Sequence, residues 1–301
     1  MMPKDGVSAE IKMGSQISPS DPLGSLTHVE IGAQSHAGKV RENNEDTYLV
    51  ARFDRQMFPL LTNLPAGSIP DRYADTGYGF LVADGMGGEA GGEVASRTAI
   101  SALVELALKT PDWIMRIDED SAREILARMD ERIQQVEQTL MDLARSDPSL
   151  SGMGTTMTLA ISLGADLFIA HVGDSRAYLL RRGRLHRLTR DHTIAQALAD
   201  AGAISSEAVD AHPMRHVLTH VIGTQGKKAQ AELGMLRLID GDEILLCTDG
   251  LTEMVSDEAI AAALGKGRTA AADCRALIEM ALEAGGRDNV TVVLARYSIP
   301  Q

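Results

Sequence analysis

The sequence predicts an α+β protein in which helices pack against antiparallel β-sheets. Short runs rich in Val, Ile, Leu, Thr and Tyr are bounded by Gly, Asp or Asn, as strands commonly are. Several neighbouring runs are separated by only a few turn-forming residues, and tight hairpins of this kind connect antiparallel strands. Strands and helices do not alternate regularly along the chain, which argues against a parallel βαβ sheet.

Turn signals divide the predicted strands into groups. The short segments 163–166, 182–183 and 240–242 contain Gly or Asp and are each predicted to turn a hairpin. The predicted strands are 28–34, 47–52, 78–83, 155–163, 167–172, 176–182, 184–189, 233–239, 243–248 and 290–297.

Four stretches show the spacing of amphipathic helices. The clearest is 119–145, where apolar residues recur every three or four positions. Charged residues over 116–132 are expected to form the solvated face of this helix. Weaker helical patterns cover 90–108, 256–264 and 269–284. The apolar residues of the clearest helix are Ile125, Met129, Ile133, Val136, Leu140 and Leu143.

Length and composition favour one large domain. The chain has 301 residues, of which 44% are hydrophobic and 3% aromatic, so aliphatic side chains must form most of a sizeable core. Residues 1–26 are rich in Ser, Gly, Pro and Asp and lack an apolar signal-peptide segment, so we expect a mostly disordered tail. No break in composition divides the rest, which predicts a single domain over 27–301.

Charge and cysteine content disfavour several functions. The 42 acidic and 29 basic residues give a net charge of −13, which disfavours nucleic acid and anionic membranes as partners. No segment has the long apolar run of a membrane span. Cys247 and Cys274 form no metal-binding pair and are expected to be reduced and buried in a cytoplasmic protein. A cysteine phosphatase is excluded, because its essential Arg would have to replace Glu253 or Met280.

Acidic residues mark the ends of several predicted strands. Asp84, Asp174 and Asp249 each follow a strand, whereas Asp46 and Asp288 each precede one. Because antiparallel neighbours run in opposite directions, the end of one strand lies beside the start of its partner. We therefore expect these acids to gather along one edge of the sheets.

An acidic edge of this kind predicts a site for hard cations. Clustered carboxylates repel one another unless cations are present, and oxygen ligands without a nearby Cys favour Mg²⁺ or Mn²⁺. A single Asp-Gly pair is usually a turn or a helix cap, so the prediction depends on the shared phasing of several strands.

The long insert 190–231 leaves from this edge and returns to it, which makes it a candidate flap. Residues 53–77 leave from the opposite end and are expected to form a surface excursion without chemistry.

Two further patterns receive a structural interpretation. His212, His216 and His220 recur every four positions, a spacing that on a helix would suit zinc. Pro213 argues against a regular helix there, so we favour ordinary packing or exposure. The glycines after Asp84 are similar to a phosphate-binding loop, but no Gly-Lys pair is followed by Ser or Thr, which excludes a P-loop.

Short motifs in a fixed order carry the most specific signal. They are Gly-Lys-Val-Arg-Glu-Asn-Asn-Glu-Asp at 38–46, Val-Ala-Asp-Gly-Met-Gly-Gly at 82–88, Gly-Met-Gly-Thr-Thr at 152–156, Val-Gly-Asp-Ser-Arg at 172–176, Cys-Thr-Asp-Gly-Leu at 247–251 and Gly-Arg-Asp-Asn-Val-Thr at 286–291. Each motif alone is weak, but the ordered set is specific. In this set the chain resembles the bacterial form of the metal-dependent serine/threonine protein phosphatases of type 2C, the PPM family.

The resemblance implies a four-layer α-β-β-α sandwich, in which two antiparallel sheets pack face to face and helix pairs lie outside. It also implies a centre of two Mn²⁺ or Mg²⁺ ions at one end of the sandwich. By motif, Asp84 would bridge both ions and the carbonyl of Gly85 would hold one of them. Asp249 and Asp288 would hold the other ion.

Two further acidic positions follow from the same resemblance. A carboxylate of the Asn-Asn-Glu-Asp segment would support the ion beside Gly85, and the bacterial pattern favours Asp46 over Glu45. Asp174 together with Asp249 is similar to the weaker third metal site of bacterial relatives.

The implied activity is hydrolysis of phosphoserine and phosphothreonine in proteins. Two cations lower the pKa of a bridging water, so hydroxide attacks phosphorus in line while the Ser or Thr oxygen leaves. Arg41 is similar in position to the arginine that grips the substrate phosphate, and its planar fork suits bidentate binding. Arg41, Asp84 and Asp249 are therefore the predicted catalytic residues. The expected partners are phosphorylated proteins and an opposing Ser/Thr kinase in cytoplasmic signalling.

Two departures from the family pattern leave questions open. Met86 stands where many eukaryotic members have a His, and Met cannot protonate the leaving oxygen. His220 stands where relatives often have a basic Arg in the flap. A metallohydrolase of small phosphate esters is an alternative that the sequence excludes poorly. A non-catalytic binding relative is disfavoured, because every motif carboxylate is present.

Overall fold

Two antiparallel sheets pack face to face at the centre of the computed structural model. The predicted tail at 1–26 lies outside the part of the chain that the structure describes. That part comprises residues 27–57, 60–61, 64–65, 68, 73–87, 91–109, 119–224, 229–265 and 267–300.

The first sheet is built around one long hairpin. The whole of β2 (Asp46–Met57) pairs with β3 (Tyr73–Met86), up to Asp84. β5 (Met157–Leu163), β6 (Asp166–Val172) and β9 (Glu232–Arg237) extend the sheet in the order β2-β3-β5-β6-β9. A two-residue strand, β4, covers Gly154–Thr155 and pairs with the end of β3.

The second sheet has the order β1-β11-β10-β7-β8. Its pairs are all antiparallel, and the turn at 182–183 joins its last two strands as predicted. The strands are β1 (His28–His36), β7 (Arg176–Arg181), β8 (Arg184–Arg187), β10 (Glu243–Cys247) and β11 (Val290–Ser298).

Helices cover the outer faces of both sheets. α1 (Gly91–Lys109) and α2 (Glu119–Ser146) pack on the first sheet, and the predicted apolar stripe of α2 is buried there. The second sheet is covered by α5 (Asp257–Ala263) and α6 (Ala270–Glu283). Two shorter helices, α3 (Ile194–Asp200) and α4 (Asp249–Thr252), were not among the predicted elements.

Side-chain hydroxyls set the starts of the outer helices on the second sheet. The Ser256 hydroxyl accepts a hydrogen bond from the Ala259 amide, and the Thr269 hydroxyl accepts one from the Ala272 amide. Such N-caps satisfy amide groups that a helix leaves without intrahelical partners. They explain why helices begin at these positions although the apolar periodicity is weak.

Apolar side chains fill the space between the sheets. Phe80 and Ile169 of the first sheet meet Leu179, Leu246 and Val293 of the second in one buried cluster. One further cluster lies between each sheet and the helices that cover it. The four-layer α-β-β-α prediction is therefore confirmed.

Two details of the predicted topology are wrong. The turn at 240–242 does not make a hairpin, because β9 pairs with β6 in the first sheet while β10 pairs with β7 and β11 in the second. The chain crosses between the sheets here, and buried Leu238 lies at the crossing. The predicted excursion at 53–77 is too long, because residues 53–57 and 73–77 continue the β2–β3 ladder.

The insert at 190–231 starts and returns near one end of the sandwich. The His192 amide donates to the Gly173 carbonyl, and Ile222 forms a bridge with Thr155. Residues 212–220 form turns and bends and not a helix, so His212, His216 and His220 do not share a helical face. Among the helices of the described segments, none is long and apolar enough to cross a membrane.

Candidate metal centre

Asp46 and Asp84 lie opposite each other at one end of the β2–β3 ladder. Antiparallel pairing brings the start of one strand beside the end of the other, as the sequence predicts. Asp46 is buried, with 7% of its surface exposed, and one of its oxygens, Oδ2, accepts a hydrogen bond of 2.8 Å from the Thr248 hydroxyl. Thr248 comes directly after β10, so this bond connects the two sheets.

The backbone at Asp84 and Gly85 is held from several sides. The Asp84 amide donates to the Thr156 hydroxyl at 3.0 Å, and the Asp84 carbonyl accepts from the Thr155 hydroxyl at 2.8 Å. A Cβ on Gly85 would lie 2.0 Å from the carbonyl oxygen of Gly92, so only glycine fits. The missing side chain at Gly85 therefore lets the start of α1 approach the end of β3 closely.

Asp249 and Asp288 come from the second sheet. Asp249 is the first residue of α4, immediately after β10, and Asp288 lies just before β11. The Asn289 side chain donates to the carbonyls of Ala37 and Asn43 at 2.9 and 2.8 Å and accepts from the Glu45 amide at 2.8 Å. This residue therefore fixes the 37–45 segment against the Asp288 loop.

Burial and mutual repulsion raise the pKa values of these carboxylates, as expected for a cluster. Burial and the neighbouring charges raise the pKa of Asp46 and of Asp249 to about 7 each. Burial, followed by the charges of Asp46, Asp249, Asp174 and Asp288, raises the pKa of Asp84 well above its ordinary value. Several negative charges in one buried place are costly without a compensating cation.

Two oxygen atoms support the fit of metal ions to this cluster. Oδ1 of Asp46 and Oδ1 of Asp249 are buried and have no hydrogen-bond partner among the described residues. Buried polar atoms are nearly always paired, so such atoms need an explanation. The available donors are carboxylate and carbonyl oxygens, which are the ligands that Mg²⁺ and Mn²⁺ prefer. The residues present therefore fit hard divalent cations.

The two acidic residues of the Asn-Asn-Glu-Asp segment, Glu45 and Asp46, have different surroundings. The Asp46 charge contributes to the raised pKa of Asp84. The Glu45 carboxylate instead lies beside Gly92, where a Cβ would approach it to 2.6 Å. Burial raises the pKa of Glu45, and Arg41 opposes this shift. The placement favours Asp46 as the metal-site carboxylate, and its role stays a prediction.

Asp174 lies near both Asp84 and Asp249, because its charge contributes to the raised pKa of Asp84 and the Asp249 charge contributes to its own raised pKa. It is 9% exposed, and burial followed by the charges of Asp249 and Asp191 raises its pKa well above its ordinary value. Asp174 and Asp249 both line a cavity of about 430 Å³ between the insert and the α4–α5 region. His216 and Glu253 line the same cavity, and His216 Nδ1 contacts a carboxylate oxygen of Glu253 there.

Sequence reasoning missed several residues of this region. Thr248 bonds to Asp46, Asn289 organises the 37–45 loop, and the pair His216 and Glu253 lies beside Asp249. Asn289 belongs to the motif at 286–291, but the groups that it contacts lie in the distant 37–45 segment. Glu253 follows Asp249 by one helical turn, and that spacing was the one available signal.

Arg41 lies at the rim of the cluster. Its Nη2 donates to Asp288 Oδ2 at 2.7 Å, while 57% of its side chain is exposed. Met86 is also exposed and follows Gly85 at the end of β3. The structure thus brings together Arg41, Asp46, Asp84, Gly85, Asp249 and Asp288, with Asp174 adjoining them through Asp249.

Comparisons with known proteins identify the family and the fold. Residues 71–283 match the family described as Protein phosphatase 2C. The serine/threonine protein phosphatase PstP of Mycobacterium tuberculosis is 38% identical over 264 residues, which are 87% of this chain and 44% of PstP. The chain thus spans under half the length of that relative. The serine/threonine phosphatase Stp of Listeria innocua is 35% identical over 73% of this chain and 85% of its own length.

A solved structure extends the comparison to the fold. The catalytic domain of PstP in complex with two manganese ions has a TM-score of 0.69 and 35% identity, covering 90% of this chain and 99% of that one. The family match covers most of the chain. The strands and helices of the chain form the sandwich that the family resemblance implies. The chain belongs to the protein phosphatase 2C family.

Proposed function

We propose that this chain is a Mn²⁺- or Mg²⁺-dependent phosphatase that hydrolyses phosphoserine and phosphothreonine in proteins. The observation that carries the proposal is a cluster of carboxylates beside an exposed arginine, in which Asp46 and Asp249 each have one buried, unpaired oxygen. Both named relatives are serine/threonine phosphatases, which supports the substrate class. The substrate proteins, an opposing Ser/Thr kinase and a cytoplasmic location belong to the same proposal.

The resemblance in motifs supports one assignment of ligands to two ions. Asp84 would bind both ions, with the Gly85 carbonyl and Asp46 on one side and Asp249 and Asp288 on the other. When bound, the ions supply a hydroxide nucleophile near neutral pH and stabilise charge on the phosphoryl oxygens. The hydroxyl of Thr248 holds the Asp46 carboxylate in its orientation, as supporting residues do in metal sites.

Arg41 supplies the substrate contact that the chain itself makes. Its guanidinium is anchored at one nitrogen by Asp288 and is otherwise largely exposed, so its other donors can bind a phosphate. This contact orients the phosphoryl group beside the carboxylates and stabilises its negative charge. Met86 lies at the same rim and offers no proton, so the leaving oxygen takes its proton from another group.

A weaker third ion would bind between Asp174 and Asp249. The two carboxylates line one cavity, and each has a raised pKa. The insert 190–231 forms another wall of this cavity through residues such as Asp210 and His216. This arrangement supports a flap role for the insert.

The substrate class is tested with purified chain and a panel of phosphate compounds. We expect phosphate release from a phosphothreonine peptide and a phosphoserine protein to exceed release from nucleotides and small esters at equal concentration. Preferential hydrolysis of the nucleotides or small esters would instead identify a metallohydrolase of small phosphate esters. No release from any compound by folded, metal-loaded chain would identify a binding relative.

A further inference from the structure

A second group of metal-ligating side chains lies at the base of the insert. One donor atom from each of His171, His192 and Glu232 lies within 4.8 Å of the other two. The ring centroids of His171 and His192 are 4.9 Å apart, and a third ring, His220, lies 4.9 Å from His192. This histidine cluster uses none of the carboxylates of the metal centre described above.

We propose that His171, His192 and Glu232 form a binding site for Zn²⁺. Imidazole nitrogen with one carboxylate oxygen is a common zinc donor set, whereas Mg²⁺ and Mn²⁺ prefer oxygen alone. Bonds of about 2.0–2.1 Å place two donors about 3.3 Å apart around a tetrahedral ion. Binding an ion would draw the donors, which lie within 4.8 Å of one another, to that separation. His220 adds a further imidazole next to His192.

The hydrogen bonds of His171 provide the outer support that zinc-binding histidines usually have. Its Nδ1 lies 2.9 Å from the Thr158 hydroxyl, which in turn donates to the Ser175 carbonyl at 3.2 Å. In the structure Nε2 donates to the Arg190 carbonyl, so the ring proton lies on Nε2, and the Arg190 amide donates to the Glu232 carboxylate. An ion at Nε2 would move this proton to Nδ1, where the Thr158 hydroxyl can accept it while donating to the Ser175 carbonyl.

The bonds that coordination would replace are long ones. His171 Nε2 lies 3.1 Å from the Arg190 carbonyl oxygen, and the Gly173 amide lies 3.2 Å from His192 Nδ1. Both lengths are at the weak end of the ordinary range. Burial lowers the pKa of His171 to about 3 and that of His192 to about 4, so both rings are neutral near pH 7 and do not repel a cation.

An ion here would join three separate parts of the chain. His171 lies on β6, Glu232 opens β9, and these two residues are paired across the strands. His192 lies near the start of the insert, where its carbonyl accepts a 2.8 Å hydrogen bond from Thr219, next to His220. The site would therefore fasten both ends of the insert to the first sheet. Its ligand His171 lies three residues before Asp174 in the sequence.

The test measures Zn²⁺ binding by the full chain in saturating Mg²⁺, using equilibrium dialysis and metal analysis. Wild type should bind one more Zn²⁺ ion than the Glu232→Gln and His192→Gln variants, or bind that ion at least about tenfold more tightly. His186→Gln, which removes an exposed histidine on β8, should match wild type. Equal number and affinity in wild type and both cluster variants would overturn the proposal.

A second readout uses wild-type chain alone and so does not depend on variant folding. In ¹⁵N NMR spectra, Zn²⁺ should shift the side-chain nitrogen signals of His171 and His192 in step with occupancy. The signals of exposed His186 should stay unchanged. Unshifted His171 and His192 signals at Zn²⁺ concentrations that saturate the other sites would contradict the proposed ligands.

Discussion

Arg41 Nη2 and Asp288 Oδ2 form a 2.7 Å hydrogen bond at the rim of the carboxylate cluster. The pair connects the loop before β2 with the loop before β11, and Asn289 braces the same two loops. One end of the guanidinium is thus fixed to a proposed metal ligand, while more than half of the side chain remains exposed. This geometry suits a residue that holds substrate next to the ions.

Replacing Arg41 with Ala should mainly weaken substrate binding. A charge-assisted hydrogen bond contributes about 1.5–3 kcal/mol, so KM for a phosphothreonine peptide should rise by about tenfold or more. Steady-state kinetics give kcat and KM separately. Arg52→Ala is the matched control, because Arg52 forms a similar exposed pair with Asp54 away from the cluster. A large loss of kcat with normal KM would count against the role of Arg41.

Replacing Asp84 with Asn should separate activity from stability. Turnover should fall by at least about a hundredfold, because a residue proposed to bind both ions is lost. The metal-free variant should unfold at the same temperature as metal-free wild type or higher, because one of several mutually repelling buried charges is removed. Mn²⁺ should raise the melting temperature of wild type more than that of the variant.

The control for Asp84→Asn is Asp54→Asn, which changes an exposed Asp on the same hairpin. This control should keep wild-type turnover and the wild-type response to Mn²⁺. Near-wild-type turnover of Asp84→Asn, measured by phosphate release, would exclude Asp84 as a metal ligand.

Buried His171 predicts a loss of stability in mild acid. Its folded pKa of about 3 is lower than that of an unfolded histidine, so below about pH 6.5 the unfolded chain takes up a proton that the folded chain does not. This group therefore lowers the free energy of unfolding by about 1.4 kcal/mol between pH 7.5 and 5.5. Urea unfolding should show a smaller drop over this interval for His171→Asn. Equal drops in both proteins would show that His171 titrates normally in the fold.

Removing residues 1–26 should leave catalysis unchanged. The proposed domain covers 27–301, and β1 begins at His28. Phosphate release by the shortened chain should match that of the full chain in kcat and KM. A large loss of activity would mean that the tail takes part in catalysis.

Sequence patterns predicted most of the elements because each pattern has a local cause. The apolar stripe of α2 and the phasing of Asp46 against Asp84 follow from helical and strand periodicity alone. The turn at 240–242 has the same residues whether the next strand returns to its neighbour or crosses to the other sheet. Packing around Leu238 decides between these paths, and no local signal reports it.

The candidate site could likewise be predicted only where local patterns report it. Strand phasing located the Asp residues, but the hydroxyl of Thr248 and the amide of Asn289 gain their roles from contacts between distant segments. The histidine spacing of four would suit a helix face, but Pro213 argues against a helix, and residues 212–220 form none. His220 instead meets His192, which lies at the other end of the insert. Such a contact depends on how the insert folds and not on periodicity.

Dependence of the phosphatase activity on metal ions at Asp249 is tested by phosphate release from a phosphothreonine peptide by wild type and Asp249→Asn, each with Mn²⁺, with Mg²⁺ and with EDTA. We expect release by wild type with either ion, no release with EDTA, and no release by the folded variant under any condition. Release by wild type in EDTA, or metal-dependent release by Asp249→Asn at the wild-type rate, would contradict this dependence.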